Sequence, residues 1–293
     1  MPTNQQRRET AKRKLERQLE RRAQQAKRRR LLTIIGGAAA LVAAIAVVVT
    51  LVVTNRDSDK SSTTASGAPS DTAGPSTAPP ATGGLPAFKA GANLGSNCQY
   101  PASPEPASKK VEPPKAGKVP TEPATVSASM ATNQGNIGLQ LDNAKAPCTV
   151  NSFASLAQKG FFNDTPCHRL TTSPSLAVLQ CGDPTGQGTG GPGYQFANEY
   201  PTDQYPAGDP GLQQPVTYPR GTLAMANAGP DTNGSQFFLV YKDSQLPPNY
   251  TVFGTIDKTG LATLDKIAAA GVAGGGADGK PATDVKIKSV LLD

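Results

Sequence analysis

The longest apolar run in the chain is Leu31–Val53, which has 23 residues and no charged side chain. At a rise of 1.5 Å per residue, a helix of this length spans about 34 Å, more than a hydrocarbon core of about 30 Å. The apolar region of a cleavable signal peptide is shorter, at about 7–15 residues. The run therefore predicts a single transmembrane signal anchor at 31–53, through which the chain contacts the lipid bilayer.

A polar stretch over 54–123 follows the predicted span. Asn55–Pro86 consists mostly of Ser, Thr, Ala, Gly and Pro, a composition that cannot offset the entropy of ordering and therefore predicts disorder. Pro101–Pro123 has seven prolines, which favour an extended polyproline II chain. We predict a linker over 54–123, with Cys98 marking one fixed point in it.

From about residue 124 the pattern changes to short β-rich runs between Gly and Pro turns. Two helical stripes interrupt these runs, one over 150–157 that ends before Gly160 and one over 261–270. The pattern predicts a mainly β domain over 124–293, a closed eight-stranded β-barrel capped by two helices. The predicted strands are Thr125–Thr132, Ile137–Asp142, His168–Thr171, Leu176–Gln180, Thr222–Ala226, Phe237–Tyr241, Val252–Ile256 and Val285–Leu292.

Positive charge is concentrated at the N-terminus. The chain has a net charge of +7, but residues 1–30 carry 12 basic and three acidic side chains, and the remainder has a net charge of −2. The positive-inside rule then predicts a cell-membrane protein with 1–30 in the cytoplasm and everything after the span outside. Because the basic segment adjoins the span and lacks interleaved aromatic residues, we predict no nucleic-acid partner. Residues 7–30 form either a helix on anionic lipid or a solvated tail, and both alternatives stay open.

Four cysteines follow the predicted span: Cys98, Cys148, Cys167 and Cys181. Outside the membrane, four cysteines favour disulfides over thiols. Three pairings are possible. We favour Cys98–Cys148 with Cys167–Cys181 because the last two fall on neighbouring predicted strands, although the spacing does not exclude the other pairings.

The sequence lacks several common catalytic and binding arrangements. With His168 as the only histidine, a metal site that needs two imidazoles is excluded, and we predict no metal or other cofactor. Arg169 beside it disfavours the imidazolium that a hydrolase base must become, so His168 alone is more typical of a hydrogen-bonded core residue. The run 186–191 matches GxGxxG, but Pro192 follows where a helix should begin, which indicates a surface loop.

Three blocks of sequence carry the strongest functional signal. They are 167–170 followed by 178–183, 223–238, and 249–254. In these blocks the sequence resembles the cyclophilin family of peptidyl-prolyl isomerases, from about Val126 to Leu292, and is most similar to membrane-anchored actinobacterial members. The resemblance implies a cyclophilin-like fold, no cofactor, and proline-containing polypeptides as substrates during folding of exported proteins. The alternative is a binding or chaperone module of the same fold at the cell surface, with weak or no catalysis.

The resemblance also assigns roles to individual residues. Arg169 would stabilise the twisted prolyl amide, Gln180 would hold its guanidinium, and Phe238 would form the floor of the proline pocket. Asn227 would bind the substrate main chain through its own backbone, and Gln236 would bind the peptide from the other rim. The remaining substrate-binding assignments are His168, Val178, Ala226, Ala228, Leu246 and Tyr250.

Departures from the family pattern change some of these expectations. Arg169 and Gln180 lie eleven positions apart, which is longer than the family spacing and predicts an extended hairpin tip at 171–175. Ala177 stands where a phenylalanine is usual, which predicts a shallower proline pocket. Gln245 replaces the tryptophan that supports cyclosporin binding in the family, and Tyr250 replaces a histidine. We therefore expect weak cyclosporin binding.

Overall fold

The structure, a computed structural model, describes residues 83–293. The basic segment 1–30, the predicted span 31–53 and the linker up to residue 82 lie outside the described residues. From residue 83 onward, no helix combines the length and the apolar character needed to cross a bilayer.

Short alternating segments build one curled antiparallel sheet of ten strands and a separate sheet of two. The large sheet has the order β11-β4-β5-β8-β7-β10-β2-β1-β12-β3, and the small sheet pairs β6 with β9. Two helices, α1 (Pro147–Gln158) and α2 (Lys258–Ala270), pack against it. The strands are β1 (Thr125–Thr132), β2 (Gly135–Asp142), β3 (Thr165–Pro166), β4 (Arg169–Thr171), β5 (Val178–Cys181), β6 (Val216–Tyr218), β7 (Thr222–Met225), β8 (Phe237–Val240), β9 (Ser244–Leu246), β10 (Val252–Ile256), β11 (Asp278–Gly279) and β12 (Lys286–Leu292).

The curled sheet corrects the predicted closed barrel of eight strands. Its two end strands pair on one side only, β3 with β12 and β11 with β4. Pro166 in β3 has no N–H to donate, so the ladder stops at that edge. The four strands missing from the sequence prediction, β3, β6, β9 and β11, have two or three residues each, too few to show an alternating pattern.

The two faces of the sheet have different roles. Leu170, Leu179, Leu239 and Leu223 are directly opposed across β4, β5, β8 and β7, and all four are fully buried in the main core. Because side chains alternate along a strand, the residues next to these leucines face the opposite side of the sheet. That opposite face carries the candidate site described below.

The segment 83–123 lies against this fold, which differs from the linker boundary predicted at 123. Tyr100 and Val119 are buried in the main core, and the Thr217 N–H donates to the Gly83 carbonyl at 2.9 Å. Residues 83–86, the end of the segment predicted to be disordered, therefore have a defined position beside β6. Composition alone missed this because the segment is held by backbone hydrogen bonds and one covalent link, with few apolar side chains of its own.

Both favoured disulfides are present. Cys98 is bonded to Cys148 at the start of α1, and Cys167 is bonded to Cys181 beside the β4–β5 pair. No cysteine of the described residues is free. The favoured pairing is confirmed, and the first disulfide joins the segment 83–123 to α1.

A buried carboxylate caps α1. Glu199 accepts hydrogen bonds from the Cys148 N–H at 3.0 Å, the Thr149 N–H at 2.8 Å and the Thr149 hydroxyl at 2.7 Å. These donors satisfy part of the helix N-terminus, where no residue of the helix itself supplies a side-chain cap. Burial nevertheless raises the pKa of Glu199 to about 7, more than the hydrogen bonds from Thr149 and the backbone lower it.

Glu199→Gln is expected to flatten the pH dependence of stability. The folded-state pKa of about 7 lies above the ordinary 4.5, so the folded chain binds this proton more tightly than the unfolded chain. The resulting stabilisation, up to about 3 kcal/mol, is complete below pH 4.5 and is lost as the pH rises through 7. Urea unfolding from pH 5 to 8 should show a declining midpoint for the wild type and a smaller decline for the variant. Parallel declines in the two proteins would contradict this prediction, and exposed Glu105→Gln is the control.

Candidate active site

The predicted site residues form a row across four adjacent strands. Arg169 of β4 is opposed to Gln180 of β5, Gln180 to Phe238 of β8, and Phe238 to Ala224 of β7. Directly opposed residues of antiparallel strands point to the same face, so the row runs from a cation through an amide to an aromatic ring. The structure thus brings together the three residues to which the sequence assigns catalysis.

Two partners hold the Arg169 guanidinium. Its Nε donates to Asp278 Oδ1 at 2.8 Å and its Nη2 to Asp278 Oδ2 at 2.7 Å, while its Nη1 donates to Gln180 Oε1 at 3.3 Å. The hydrogen bonds to Asp278 raise the pKa of Arg169 and lower that of Asp278. Asp278 is not among the site residues predicted from the sequence. It lies 109 positions from Arg169, and nothing in its local sequence marks it.

A chain of amide hydrogen bonds extends the row sideways. Gln180 Nε2 donates to Gln236 Oε1 at 3.0 Å, and Gln236 Nε2 donates to the carbonyls of Gly188 and Gly190, each at 3.0 Å. Each amide therefore has its orientation set by the next group. The substrate-binding and catalytic roles assigned to Gln236 and Gln180 stay predictions.

The Gly-rich run predicted as a surface loop is a wall of the site. Asp183 is fully buried beneath it and accepts backbone N–H groups from Thr185, Gly188 and Thr189 at 2.7–3.1 Å. Burial favours the neutral acid, but the hydrogen bonds from Thr185 and the loop backbone outweigh it and lower the pKa of Asp183. A Cβ on Gly190 would lie 2.0 Å from Asp183 Oδ1, so the loop packs too closely for a side chain there.

His168 differs from the hydrogen-bonded core residue expected from the sequence. Neither ring nitrogen has a hydrogen-bond partner among the described residues, and the ring faces Gly188. Burial lowers the pKa of His168, and Arg169 lowers it further while Asp183 raises it. The ring lies against the Gly-rich loop.

An apolar cluster of side chains lies next to the row. Phe238 is 4% exposed, and its ring lies edge-on to Tyr250, with ring centroids 5.8 Å apart. Val178, Leu246 and Ala226, all assigned from the sequence, pack in the same cluster. The sequence analysis missed the other members because each looks like an ordinary core residue. These are Leu85, Leu176, Val216, Tyr218, Ala224, Val240 and Val252.

The β4–β5 connection forms the extended hairpin tip predicted from the spacing. Ser173 and Leu176 form an isolated bridge beyond the two strands. Ala177 is buried in the main core, whereas its neighbour Leu176 packs against the pocket cluster. Leu176, and not Ala177, therefore contacts the apolar cluster around Phe238.

Asn227 lies at the rim between the pocket and the 249–254 block. Its side chain donates to the Asn249 carbonyl at 2.8 Å and accepts the Gly229 N–H at 3.2 Å. Within residues 83–293 its own N–H and C=O have no intramolecular partner, so both are available to an extended peptide. The Ala226 N–H donates to the Gln236 carbonyl at 2.9 Å and joins the two rims, while Ala228 is exposed beyond them.

The assembled arrangement places a guanidinium held by Asp278 and Gln180 on the same sheet face as the apolar cluster around Phe238, with the unpaired backbone groups of Asn227 nearby. Among residues 83–293, no group of three or more His, Cys, Asp or Glu side chains is arranged to hold a metal ion. Such a site can hold a small apolar ring and donate hydrogen bonds from a guanidinium to an atom beside it. This chemistry needs no nucleophile.

The chain is similar to several known proteins. Residues 127–291 match the family model described as cyclophilin type peptidyl-prolyl cis-trans isomerase/CLD. The chain is 73% identical over 296 residues to the probable peptidyl-prolyl cis-trans isomerase B of Mycobacterium tuberculosis, covering 100% of this chain and 95% of that protein. The corresponding Mycobacterium leprae protein is 74% identical over 209 residues, 71% of each chain. A crystal structure of a Cryptosporidium parvum cyclophilin type isomerase is 29% identical, with a TM-score of 0.46 and coverage of 58% of this chain and 98% of that one.

Proposed function

Because the chain belongs to the cyclophilin-type peptidyl-prolyl cis-trans isomerases and catalyses that isomerisation, we propose that its substrates are exported proteins during folding and that the row from Arg169 to Phe238 is its active site. The observation that supports this site is the register that sets the Arg169 guanidinium beside the Phe238 pocket. A proline ring in the pocket would place its amide nitrogen next to the cation.

The role proposed for Arg169 follows from the barrier to rotation about the X–Pro bond. Twisting the C–N bond removes amide resonance and costs about 18–20 kcal/mol, and the prolyl nitrogen gains lone-pair character as the bond twists. A guanidinium N–H that donates to this nitrogen stabilises the twisted state more than either planar state. Asp278 and Gln180 hold the guanidinium in position, so little reorganisation is needed when the substrate binds.

The pocket and the free backbone groups account for substrate selection. Phe238, Leu246 and Val178 offer an apolar surface to the proline ring, and Tyr250 closes one side of it. The unpaired backbone groups of Asn227 and the side chain of Gln236 would hold the main chain on either side of the proline. The apolar side chains would contact the proline ring closely, whereas the flanking residues would be held only through their main chain. Such a site would select for an X–Pro bond and accept many different neighbouring residues.

Refolding of a client protein tests this function directly. The full chain in detergent micelles should accelerate the slow refolding phase of a secreted protein whose rate is limited by X–Pro isomerisation. A binding module would retain the unfolded client and leave the rate of the slow phase unchanged. That second outcome would overturn the enzymatic role in folding.

We propose an extracytoplasmic location for the isomerase domain. The support is the charge asymmetry around the predicted span 31–53, together with the two disulfides, which are rare in reducing compartments. In intact cells, added protease should degrade the isomerase domain, and a membrane-permeant and an impermeant thiol reagent should label it equally after reduction. A domain protected from protease until lysis would contradict this location.

We also propose weak cyclosporin binding. Gln245, at the position of the family tryptophan, donates from Nε2 to the Thr217 hydroxyl at 2.9 Å and offers the ligand a small polar edge where an indole would give apolar contact. Gln245→Trp should tighten binding by at least tenfold in a fluorescence titration. Equal affinity of the two proteins would contradict the proposal.

Asp278→Asn is expected to lower kcat/KM by about three- to tenfold, the effect of losing one charge-assisted hydrogen bond at a half-exposed site. An amide offers one acceptor oxygen, so it cannot hold Arg169 Nε and Nη2 together as the carboxylate does. The matched control is Asp265→Asn, which breaks the same two-point geometry on Arg220, outside the row. In a peptide isomerisation assay, kcat/KM should fall for Asp278→Asn and stay unchanged for Asp265→Asn. Equal losses of kcat/KM in the two variants would contradict the positioning role of Asp278.

A further inference from the structure

The segment 98–109, here named the strap, precedes the region that matches the family model and is fixed at both ends of α1. At the start of α1, Cys98 is bonded to Cys148, and the Tyr100 hydroxyl donates to the Cys148 carbonyl at 2.8 Å. Just beyond the end of α1, Lys109 Nζ donates to the Gly160 carbonyl at 2.6 Å. The strap therefore has a fixed position relative to the core.

Between these two anchors the strap pairs with the end of the Gly-rich wall. The N–H of Ser103 donates to the Gly193 carbonyl at 3.0 Å, and the N–H of Gln195 donates back to the Pro101 carbonyl at 2.9 Å. Ser108 donates to the Gly191 carbonyl twice, from its N–H at 2.9 Å and from its hydroxyl at 3.0 Å. These bonds, together with an isolated antiparallel bridge between Ala102 and Tyr194, join the strap to the end of the loop.

The strap and the Gly-rich loop approach each other too closely for the loop to carry side chains at the contact. A Cβ on Gly193 would lie 2.9 Å from the Ala107 Cβ, and a Cβ on Gly190 would meet the Ser108 hydroxyl at 3.0 Å as well as Asp183. The loop is therefore held between the strap on its outer side and the buried Asp183 carboxylate on its inner side. Its glycines are needed for this close approach from two directions.

The clamped loop carries the carbonyls that orient Gln236. Gly188 and Gly190 accept both Gln236 Nε2 hydrogen bonds, and Gln236 in turn orients Gln180, which holds Arg169 Nη1. The strap is thus hydrogen-bonded to Gly191, and the set of hydrogen bonds that ends at the guanidinium begins at the adjacent residue, Gly190, with one peptide bond between the two. If the strap is released, the first group of the site to lose its orientation is the Gln236 amide.

We propose that the strap is a positioning element of the active site, which clamps the Gly-rich loop so that the loop holds both Nε2 hydrogens of Gln236 and leaves Oε1 oriented to accept a hydrogen bond from the substrate main chain. The inference rests on the isomerase function and adds to it a role for a segment outside the matched family region. Because Gln236 contacts the bound peptide and not the twisting bond, the strap acts on peptide binding more than on turnover.

Substitutions at Ser108 in the full chain test the proposal. Ser108→Pro removes the N–H and the hydroxyl donor together, and we expect KM for an X–Pro peptide to rise about three- to tenfold while kcat stays within about twofold. Ser108→Thr keeps both donors and should restore the wild-type KM. Glu105→Pro is the matched control, because the N–H of Glu105 has no hydrogen-bond partner within residues 83–293.

A second measurement separates positioning from folding. In the Gln236→Ala background, Ser108→Pro should raise KM no further, since the strap acts through Gln236. A lowered melting temperature with an unchanged KM, or an equal rise in KM in both backgrounds, would overturn the proposal. If Ser108→Pro does not fold, the Cys98→Ser/Cys148→Ser pair releases the anchor instead and should raise KM in the same way. Absence of activity in the wild type would overturn the isomerase function itself, a distinct result.

Discussion

Arg169→Ala is expected to lower kcat/KM by about 100- to 1,000-fold, the range typical for removal of one donor that stabilises a transition state. The loss should fall mainly on kcat, because the hydrogen bond to the prolyl nitrogen forms only as the amide twists. The effect on stability should be small, since the Arg169 side chain is 39% exposed and its ion pair with Asp278 is half in solvent. A peptide isomerisation assay and a urea titration of the same preparation measure the two effects separately.

Arg220→Ala is the matched control for this prediction. Arg220 binds Asp265 through two nitrogens at 2.7 and 2.8 Å, and its side chain is 38% exposed, but it lies outside the row and the pocket. Arg169→Lys should retain little activity, because one ammonium group cannot hold Asp278 and Gln180 in the fork geometry of a guanidinium. Equal activities of Arg169→Ala and Arg220→Ala would remove the basis for the proposed mechanism.

The two adjacent phenylalanines of β8 should separate activity from stability. Phe238→Ala is expected to lower kcat/KM by about 10- to 100-fold, since the floor of the proposed proline pocket is lost. Its loss of unfolding free energy should be about 3 kcal/mol or less, the lower end of the range for a buried phenylalanine. Phe237→Ala should cost about 3–5 kcal/mol of unfolding free energy and leave the activity of the folded fraction within about threefold. Phe237 faces the main core, where its ring lies 5.4 Å from Phe153 and 5.6 Å from Phe162.

Peptide assays below the unfolding transition, combined with urea unfolding of both variants, test this separation. The alternation of side chains along β8 is its physical basis, because neighbouring residues cannot share a face. A Phe237→Ala protein that is folded but inactive, or a Phe238→Ala protein with full activity, would contradict the assignment of the two faces.

Element boundaries show how far a local pattern reaches. β1 and β10 match their predicted ranges, and the predicted ranges of the other long strands overlap the observed ones, because five or more alternating positions identify a strand. The strands β3 and β11 have two residues each and exist only because a neighbouring strand offers backbone partners. The number of strands and the open edges of the sheet therefore depended on tertiary pairing.

The same division holds for the segment 83–123. Its composition correctly indicates that it builds no core of its own, but backbone hydrogen bonds to the Gly-rich loop and a disulfide to α1 do not depend on composition. The pattern of cysteines left three pairings open, and only the folded arrangement selected one of them.

By itself, the sequence determined the family and the mainly β class, because long motifs and alternating strands are local features of the chain. It also predicted Arg169, Gln180 and Phe238 as the catalytic residues, which the fold brings to one face of the sheet. The tertiary structure alone decided that Asp278 binds Arg169, that Leu176 and Tyr218 pack in the cluster around Phe238, and that the strap is hydrogen-bonded to the end of the Gly-rich loop. These contacts join residues that are far apart in the sequence or unremarkable in their local setting. Their partners are fixed by strand register and by the curl of the sheet, which no local pattern encodes.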